Sequence, residues 1–160
     1  MDILKKNYFE LFGLKVSTRL DLKNLDEKFK ILQKQFHPDK FSNSSDIEKR
    51  IALQISSYLN DGYITLREYV TRIEYILKIR EFNTDENKTL FDRDFLEEQI
   101  ELNESIELLK ADKEQIDKVS MLTNDLSSKM EQLVESINSY LSQTEYEMAW
   151  KSLAKYKFYR

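Results

Sequence analysis

The sequence predicts an all-α fold. Only two glycines and one proline occur in 160 residues, whereas the turns of β-sheets normally use many of both. Apolar residues recur at steps of three and four along most of the chain, which is the period of an amphipathic helix. With 41% hydrophobic and 34% charged residues, the chain can form a core beneath a strongly hydrated surface.

Composition also narrows the chemistry. The sequence has no cysteine, so it offers no disulfide, thiolate metal site or cysteine nucleophile. The first residues show neither the apolar run of a signal peptide nor the pattern of a transit peptide, and no stretch reaches the roughly 20 apolar residues of a membrane span. We therefore expect a cytoplasmic protein. The net charge of −4 argues against general nucleic-acid affinity, and we expect no metal or cofactor.

The first 80 residues begin with a short helical segment from Tyr8 that stops at Gly13, a residue suited to a helix C-terminus. Asp21 is a predicted N-cap for the next helix, which is amphipathic. Its apolar stripe consists of Leu22, Leu25, Phe29, Leu32 and Phe36. Four lysines lie off this stripe and give the helix either a docking surface or an ordinary solvated face: Lys23, Lys28, Lys30 and Lys34.

A capping box of Ser45 and Glu48 predicts the start of a second long helix. Its apolar positions are Ile47, Ile51, Ile55, Tyr58, Leu59, Tyr63 and Leu66. The two long helices are expected to form an antiparallel hairpin. Gly62 lies inside the second helix, where it indicates close packing. A short amphipathic helix follows, with Val70, Ile73, Ile76 and Leu77.

Residues 81–91 are polar and aperiodic, and we interpret them as a linker between domains 1–80 and 92–160. Asp92 is the predicted cap of the first of three further helices, which short connections would join into a bundle. Thr144 and Glu147 form a second capping-box pattern before the last helix. The inward stripes of the three helices begin with Phe95, Gln99, Leu102 and Ile106; Ile116, Val119 and Leu122; and Tyr146, Trp150 and Leu153.

The first helix of this bundle carries apolar residues that its core does not need. Leu96 and Ile100 lie roughly 100 to 140° around the helix from the Phe95 stripe, so we expect them to be exposed. The segment 92–117 contains ten acids against three bases. Phe158 also stands off its own helix stripe. An apolar patch rimmed by acids indicates a partner surface; the alternative is that these side chains complete the bundle or interdomain packing.

The loop between the two long helices contains the only histidine and the only proline of the chain, in the order His37, Pro38 and Asp39. Proline disfavours helix in itself and in the preceding residue, so the first helix should end near Phe36 or His37. An imidazole and a carboxylate can form an acid–base pair, but no second catalytic group accompanies them. A plain structural turn is the other interpretation.

The triplet does not stand alone. Residues 7–14 (NYFELFGL) and 32–41 (LQKQFHPDKF) resemble the J domain of DnaJ-type co-chaperones. Residues 59–66 (LNDGYITL), 72–77 (RIEYIL) and 95–102 (FLEEQIEL) extend the resemblance, over nearly the whole chain, to the HscB family of iron–sulfur cluster co-chaperones. Where that family usually has methionine, this chain has Glu97.

The resemblance implies a non-catalytic adaptor of two domains, a J domain and a C-terminal three-helix domain. The first would stimulate the ATPase of an HscA or DnaK-class chaperone, and the second would deliver the IscU scaffold protein to it. It assigns the chaperone contact to His37, Pro38, Asp39, Lys30 and Lys34. It assigns the scaffold contact to Leu96, Ile100, Glu101, Glu104 and Phe158. A J-type adaptor for a different client is the alternative.

Overall fold

The computed structural model describes residues 3–83, 93–111 and 116–160, and the secondary structure there is entirely helical. The α-helices within these residues are α1 Tyr8–Leu11, α2 Leu22–Phe36, α3 Asp46–Arg67, α4 Tyr69–Ile79, α5 Arg93–Ala111, α6 Ile116–Ser142 and α7 Tyr146–Tyr159. Short 3-10 turns occur at Ile3–Lys5 and Pro38–Phe41. The predicted all-α class is confirmed for this part of the chain, in which no helix is both long and apolar enough to cross a membrane.

The chain divides into two compact units, Met1–Phe82 and Asn83–Arg160. The division falls within the predicted linker, residues 81–91, of which residues 84–91 lie outside the described part of the chain. Asp92, the predicted cap of α5, also lies outside it. The linker limits therefore remain a prediction.

In the first unit, α2 and α3 pack as the predicted antiparallel hairpin. The Phe29 ring stacks on the Tyr63 ring with centroids 4.1 Å apart. The Tyr63 hydroxyl donates a 2.9 Å hydrogen bond to Asp26, and the Arg67 guanidinium reaches the same carboxylate at 3.3 Å. Because Asp26 lies early in α2 and Arg67 ends α3, these contacts fix the opposite directions of the two helices.

The short α1 helix is held in place by aromatic packing. Asn7 and Glu10 form a capping box at its start, and Phe9 is fully buried. The Tyr8 ring stacks on Tyr75 of α4 at 4.5 Å, and the Tyr8 backbone N–H donates to the Tyr75 hydroxyl at 2.9 Å. Burial raises the pKa of the Tyr8 hydroxyl. A four-residue helix, which is unstable alone, is thus fixed by tertiary contacts.

Gly62 lets α1 approach α3 closely, as the sequence predicted. A Cβ atom at this position would lie 2.9 Å from Tyr8 Cδ1 and 3.3 Å from Phe12 Cε2. The Tyr8 ring is also stacked against Tyr75, so it cannot easily move aside. The close packing of α1 against α3 therefore requires glycine at position 62.

The first turns of α3 differ from the sequence prediction. Ile47 and Ile51, assigned to the buried stripe, are 73% and 47% exposed. Further along the same stripe, Ile55, Leu59 and Leu66 are buried. α2 has 15 residues and α3 has 22. Because Asp26 near the start of α2 pairs with Tyr63 and Arg67 near the end of α3, α2 is too short to cover the first turns of α3.

In the second unit, α6 and α7 pack closely against each other. Ile137 of α6 and Ala149 and Leu153 of α7 are fully buried between them. Lys129 of α6 lies over the ring of Tyr159, the last residue of α7. α7 therefore follows the C-terminal half of α6.

Two predictions for this unit are wrong. Ile116 and Val119 are 73% and 48% exposed, because α7 does not reach the first turns of α6. Thr144 does not form a capping box with Glu147: it has a φ of 61°, its hydroxyl donates to the Gln143 carbonyl, and Glu145 becomes the uncapped N-cap. Thr144 lies in the tight turn after α6, one residue before the N-cap position of α7, so its side chain does not cap that helix.

The two units carry opposite net charge. Residues 1–82 contain 15 Lys and Arg against 12 Asp and Glu, whereas residues 83–160 contain 10 against 17. The overall charge of −4 is therefore the sum of a basic first unit and a more strongly acidic second unit.

Replacing Gly62 by alanine should destabilise the first unit. The added methyl group overpacks the Tyr8 contact, which typically costs about 1–3 kcal/mol, against a gain of about 1 kcal/mol in helix propensity. Urea unfolding of the full chain, followed by circular dichroism, should show a net loss of stability. Ser57→Ala, on the exposed side of α3, is the matched control; a Gly62→Ala protein as stable as this control would refute the packing requirement.

Candidate functional site

The loop at the hairpin tip is shaped by Pro38. Its predecessor His37 has extended backbone angles, φ −61° and ψ 129°, and ends α2. The same residue caps the 3-10 turn in which Pro38 occupies the first position. Proline is well suited to the first position of a helical turn, because the backbone N–H that it lacks would have no partner there. His37 and Pro38 together therefore end α2 and begin the 3-10 turn.

Hydrogen bonds inside the triplet hold its shape. The Asp39 backbone N–H donates to His37 Nδ1 at 3.3 Å, and the Lys40 N–H donates to the His37 carbonyl at 3.0 Å. The far end of the loop is fixed by the predicted capping box, in which Glu48 accepts from the Ser45 N–H at 2.9 Å. That backbone hydrogen bond lowers the pKa of Glu48.

The His37 and Asp39 side chains point to solvent. They are 51% and 91% exposed, and His37 Nδ1 lies 3.5 Å from Asp39 Oδ2. A catalytic pair normally works in a site that excludes water, and an imidazole whose Nδ1 accepts a backbone N–H cannot also donate from Nδ1 to a carboxylate. Within the described ranges, no group of three or more potential ligand residues could hold a metal.

A shallow groove borders the loop. It has a volume of about 330 Å³ and is lined by Gln33, Lys34, His37 and Lys40. Lys34 and Lys40 make its walls basic, so it suits an acidic segment of a partner. Lys34, predicted from the sequence, is part of it; Lys40, which directly follows the triplet, was not assigned a role there.

The other predicted lysines of α2 divide into two kinds. Lys30 is exposed on the outer face beside Lys34. Lys28 instead donates a 2.8 Å hydrogen bond to the Gly13 carbonyl, which lies just after the C-terminus of α1. A cation is favourable at this position because the C-terminus of a helix carries partial negative charge. Ile31, next to Lys30, is 65% exposed and adds an apolar side chain to the outer face. Because Ile31 is not part of the apolar stripe of α2, the sequence pattern could have predicted its exposure.

The predicted scaffold contact lies mainly on α5. Leu96 and Ile100 are 46% and 59% exposed, as their angle around the helix from the Phe95 stripe predicted. Glu101 and Glu104 are exposed further along the helix. Phe158 of α7 is partly buried and meets Phe95 edge to face at 5.7 Å. The structure thus brings Phe158 against the residue that directly precedes Leu96.

A carboxylate missed by the sequence reasoning ties the three helices of this unit together. Glu98 of α5 forms an ion pair with Lys129 of α6 and accepts a hydrogen bond from the Tyr159 hydroxyl of α7. The Lys129 ammonium lowers the pKa of Glu98, while burial raises the pKa of Tyr159. The stabilisation from Glu98 is therefore present at neutral pH and is lost as the pH falls through its depressed pKa.

Known proteins are similar to this chain in sequence and in fold. A family model described as the HSCB C-terminal oligomerisation domain matches residues 91–160. A co-chaperone protein HscB homolog from Vibrio cholerae serotype O1 is 34% identical over 153 residues, covering 95% of this chain and 90% of the relative. A homolog with the same description from Shewanella woodyi is 35% identical and covers 86% and 80%.

Two solved structures agree with these sequence matches. Chaperone HscB from Vibrio cholerae has a TM-score of 0.83 and 32% identity, covering 96% of this chain and 91% of that one. Human co-chaperone protein HscB has a TM-score of 0.82 and 28% identity, covering 97% and 77%. A helical hairpin with His-Pro-Asp at its tip, followed by a helical bundle, defines a J-domain co-chaperone. Within that class, the chain belongs to the HscB family.

The loop geometry predicts the tautomer of the only histidine. Because Nδ1 accepts the Asp39 N–H, neutral His37 should carry its proton on Nε2. Long-range ¹H–¹⁵N correlation spectra of the folded protein at alkaline pH should show an unprotonated Nδ1. Unfolding in concentrated urea should restore the tautomer mixture of a free imidazole, and a protonated Nδ1 in the folded neutral form would contradict the hydrogen bond.

Proposed function

We propose that this protein stimulates the ATPase of an HscA or DnaK-class chaperone and delivers an IscU-type scaffold protein to it during iron–sulfur cluster assembly. One observation carries the proposal: the His37-Pro38-Asp39 loop is solvent-exposed beside a basic groove, in a chain of the HscB family. The protein acts as an adaptor, without catalysis of its own, in the cytoplasm.

Docking begins with charge. Lys30 and Lys34 of α2 and Lys40 of the loop are all exposed, and together they form a positive edge around His37. Such an edge steers an acidic partner and raises the association rate at low salt more than it raises the final affinity. The chaperone surface recognised by this edge is therefore acidic.

Specificity comes from the triplet. Asp39 is 91% exposed, so its carboxylate is available to a cation of the chaperone, and the pair strengthens when docking removes water. Pro38 fixes the backbone and lowers the entropy lost on binding. Stimulation then follows if the docked loop binds the hydrolysis-competent chaperone better than its resting state. The nucleotide stays on the chaperone.

The second unit selects the client. Leu96 and Ile100 offer exposed apolar area, Phe158 lies against the neighbouring residue Phe95, and Glu101 and Glu104 supply an acidic border. Exposed apolar patches with a charged rim are typical of partner surfaces. Glu97, where the family usually has methionine, forms a 2.7 Å ion pair with Arg93, so Glu101 and Glu104 supply most of the negative charge, and the scaffold should present basic residues to them.

Replacing His37 by glutamine should reduce chaperone stimulation by about tenfold or more, because a docked polar contact is lost. The measurement is steady-state ATP hydrolysis by the chaperone, with and without the co-chaperone. The circular dichroism spectrum and scaffold affinity should not change, since the exposed side chain supports no core. Lys78→Gln, at an exposed site on α4, serves as the control, and full stimulation by His37→Gln would remove the loop from the mechanism.

Replacing both Leu96 and Ile100 by alanine should weaken scaffold binding by about tenfold to hundredfold, because two apolar contacts are truncated. Calorimetric titration measures the affinity, and stimulation of the chaperone without scaffold should be unchanged. Met121→Ala removes a similarly exposed side chain from α6 as control. Unchanged affinity would place the interface elsewhere, and a wild-type protein that binds no scaffold would favour a different client.

A further inference from the structure

The helix that carries the proposed client surface is held mainly by side chains. Among the described residues, the backbones of α6 and α7 pack closely against each other, whereas the backbone of α5 does not approach either helix as closely. Phe95 is the buried anchor of α5, 1% exposed and surrounded by Phe158 and Tyr159. One anchor fixes a position but leaves rotation about the helix axis poorly determined.

Glu98 supplies the second point of attachment. Its carboxylate binds the Lys129 ammonium and the Tyr159 hydroxyl, and Lys155 adds a nearby positive charge. These groups line a groove of about 250 Å³ between the three helices. Lys129 and Lys155 also lie over the rings of Tyr159 and Phe95, at 5.8 and 4.8 Å from their centroids. One carboxylate thus joins α5 to both neighbours.

The attachment lies behind the client surface. At about 100° per residue, Glu98 lies roughly 160° around α5 from both Leu96 and Ile100. Two points of attachment, Phe95 and Glu98, therefore fix which side of α5 faces outward. Tyr159 also directly follows Phe158, so the same carboxylate holds the α7 part of the surface.

We propose that Glu98, held by Lys129 and Tyr159, is a positioning residue that sets the rotation of α5 and keeps Leu96, Ile100 and Phe158 in one binding surface. This inference rests on the proposed client-binding function of that surface. Glu98 itself does not contact the client. Its side chain is 35% exposed and that of Lys129 is 47% exposed, so the ion pair acts through geometry more than through bulk stability.

The test compares two opposite charge removals in the full chain. Glu98→Gln and Lys129→Gln should each weaken scaffold affinity by about fivefold, because both break the same contact. If Glu98 instead attracted a basic client directly, Lys129→Gln would strengthen binding. Glu147→Gln is the matched control: it removes a carboxylate from an ion pair with Lys151, 2.7 Å long, that lies within one helix.

A further variant separates positioning from simple loss of stability. Adding Glu98→Gln to a Leu96→Ala and Ile100→Ala protein should produce a smaller loss of affinity than it does in the wild type, because most of the surface that it positions is already removed. Full additivity would overturn the proposal.

A partner-free measurement keeps this proposal separate from the proposed function. In the free protein, Glu98→Gln should accelerate amide hydrogen exchange across residues 93–105, whereas Glu147→Gln should not. If the wild type binds no scaffold, the proposed function fails while exchange still tests the attachment. If the wild type binds and Leu96→Ala weakens binding, but Glu98→Gln changes neither affinity nor exchange, the positioning role is wrong.

Discussion

The architecture of the first unit depends on the restriction that Pro38 places on the backbone. Pro38 ends α2 at Phe36, forces His37 into an extended conformation and starts a 3-10 turn, so the direction of the chain changes within two residues. The same early stop leaves the first turns of α3 without a covering helix, which exposes Ile47 and Ile51. A single ring thus sets the length of the hairpin, the shape of its tip and the solvent exposure around it.

The two units are specified in different ways. In the first, backbone constraints dominate: a proline ends one helix, and Gly62 permits the close approach of α1 to α3. In the second, α5 is held by the Phe95 cluster and by Glu98, which are side-chain contacts between separate helices. The shape of the loop in the first unit therefore depends on its backbone, whereas the attachment of α5 depends partly on charged side chains.

Local chemistry explains which features the sequence predicts. The caps Asp21 and Ser45, the loop at Pro38 and the exposure of Leu96 and Ile100 depend on residues within one or two turns, and the structure agrees with each. Helical period alone does not reveal where a neighbouring helix stops, so Ile116 and Val119 were misassigned. The attachment of Glu98 to Lys129 spans 31 residues, and no local pattern indicates it.

The unequal division of charge between the units has a consequence for sorting partners. A protein whose docking surface is acidic is attracted to the basic edge of α2 and repelled by the acids of α5, and a basic protein experiences the reverse. Each unit therefore discourages the partner that suits the other. In the proposed function, the chaperone and the scaffold would therefore not compete for the same surface, and this discrimination weakens as salt rises.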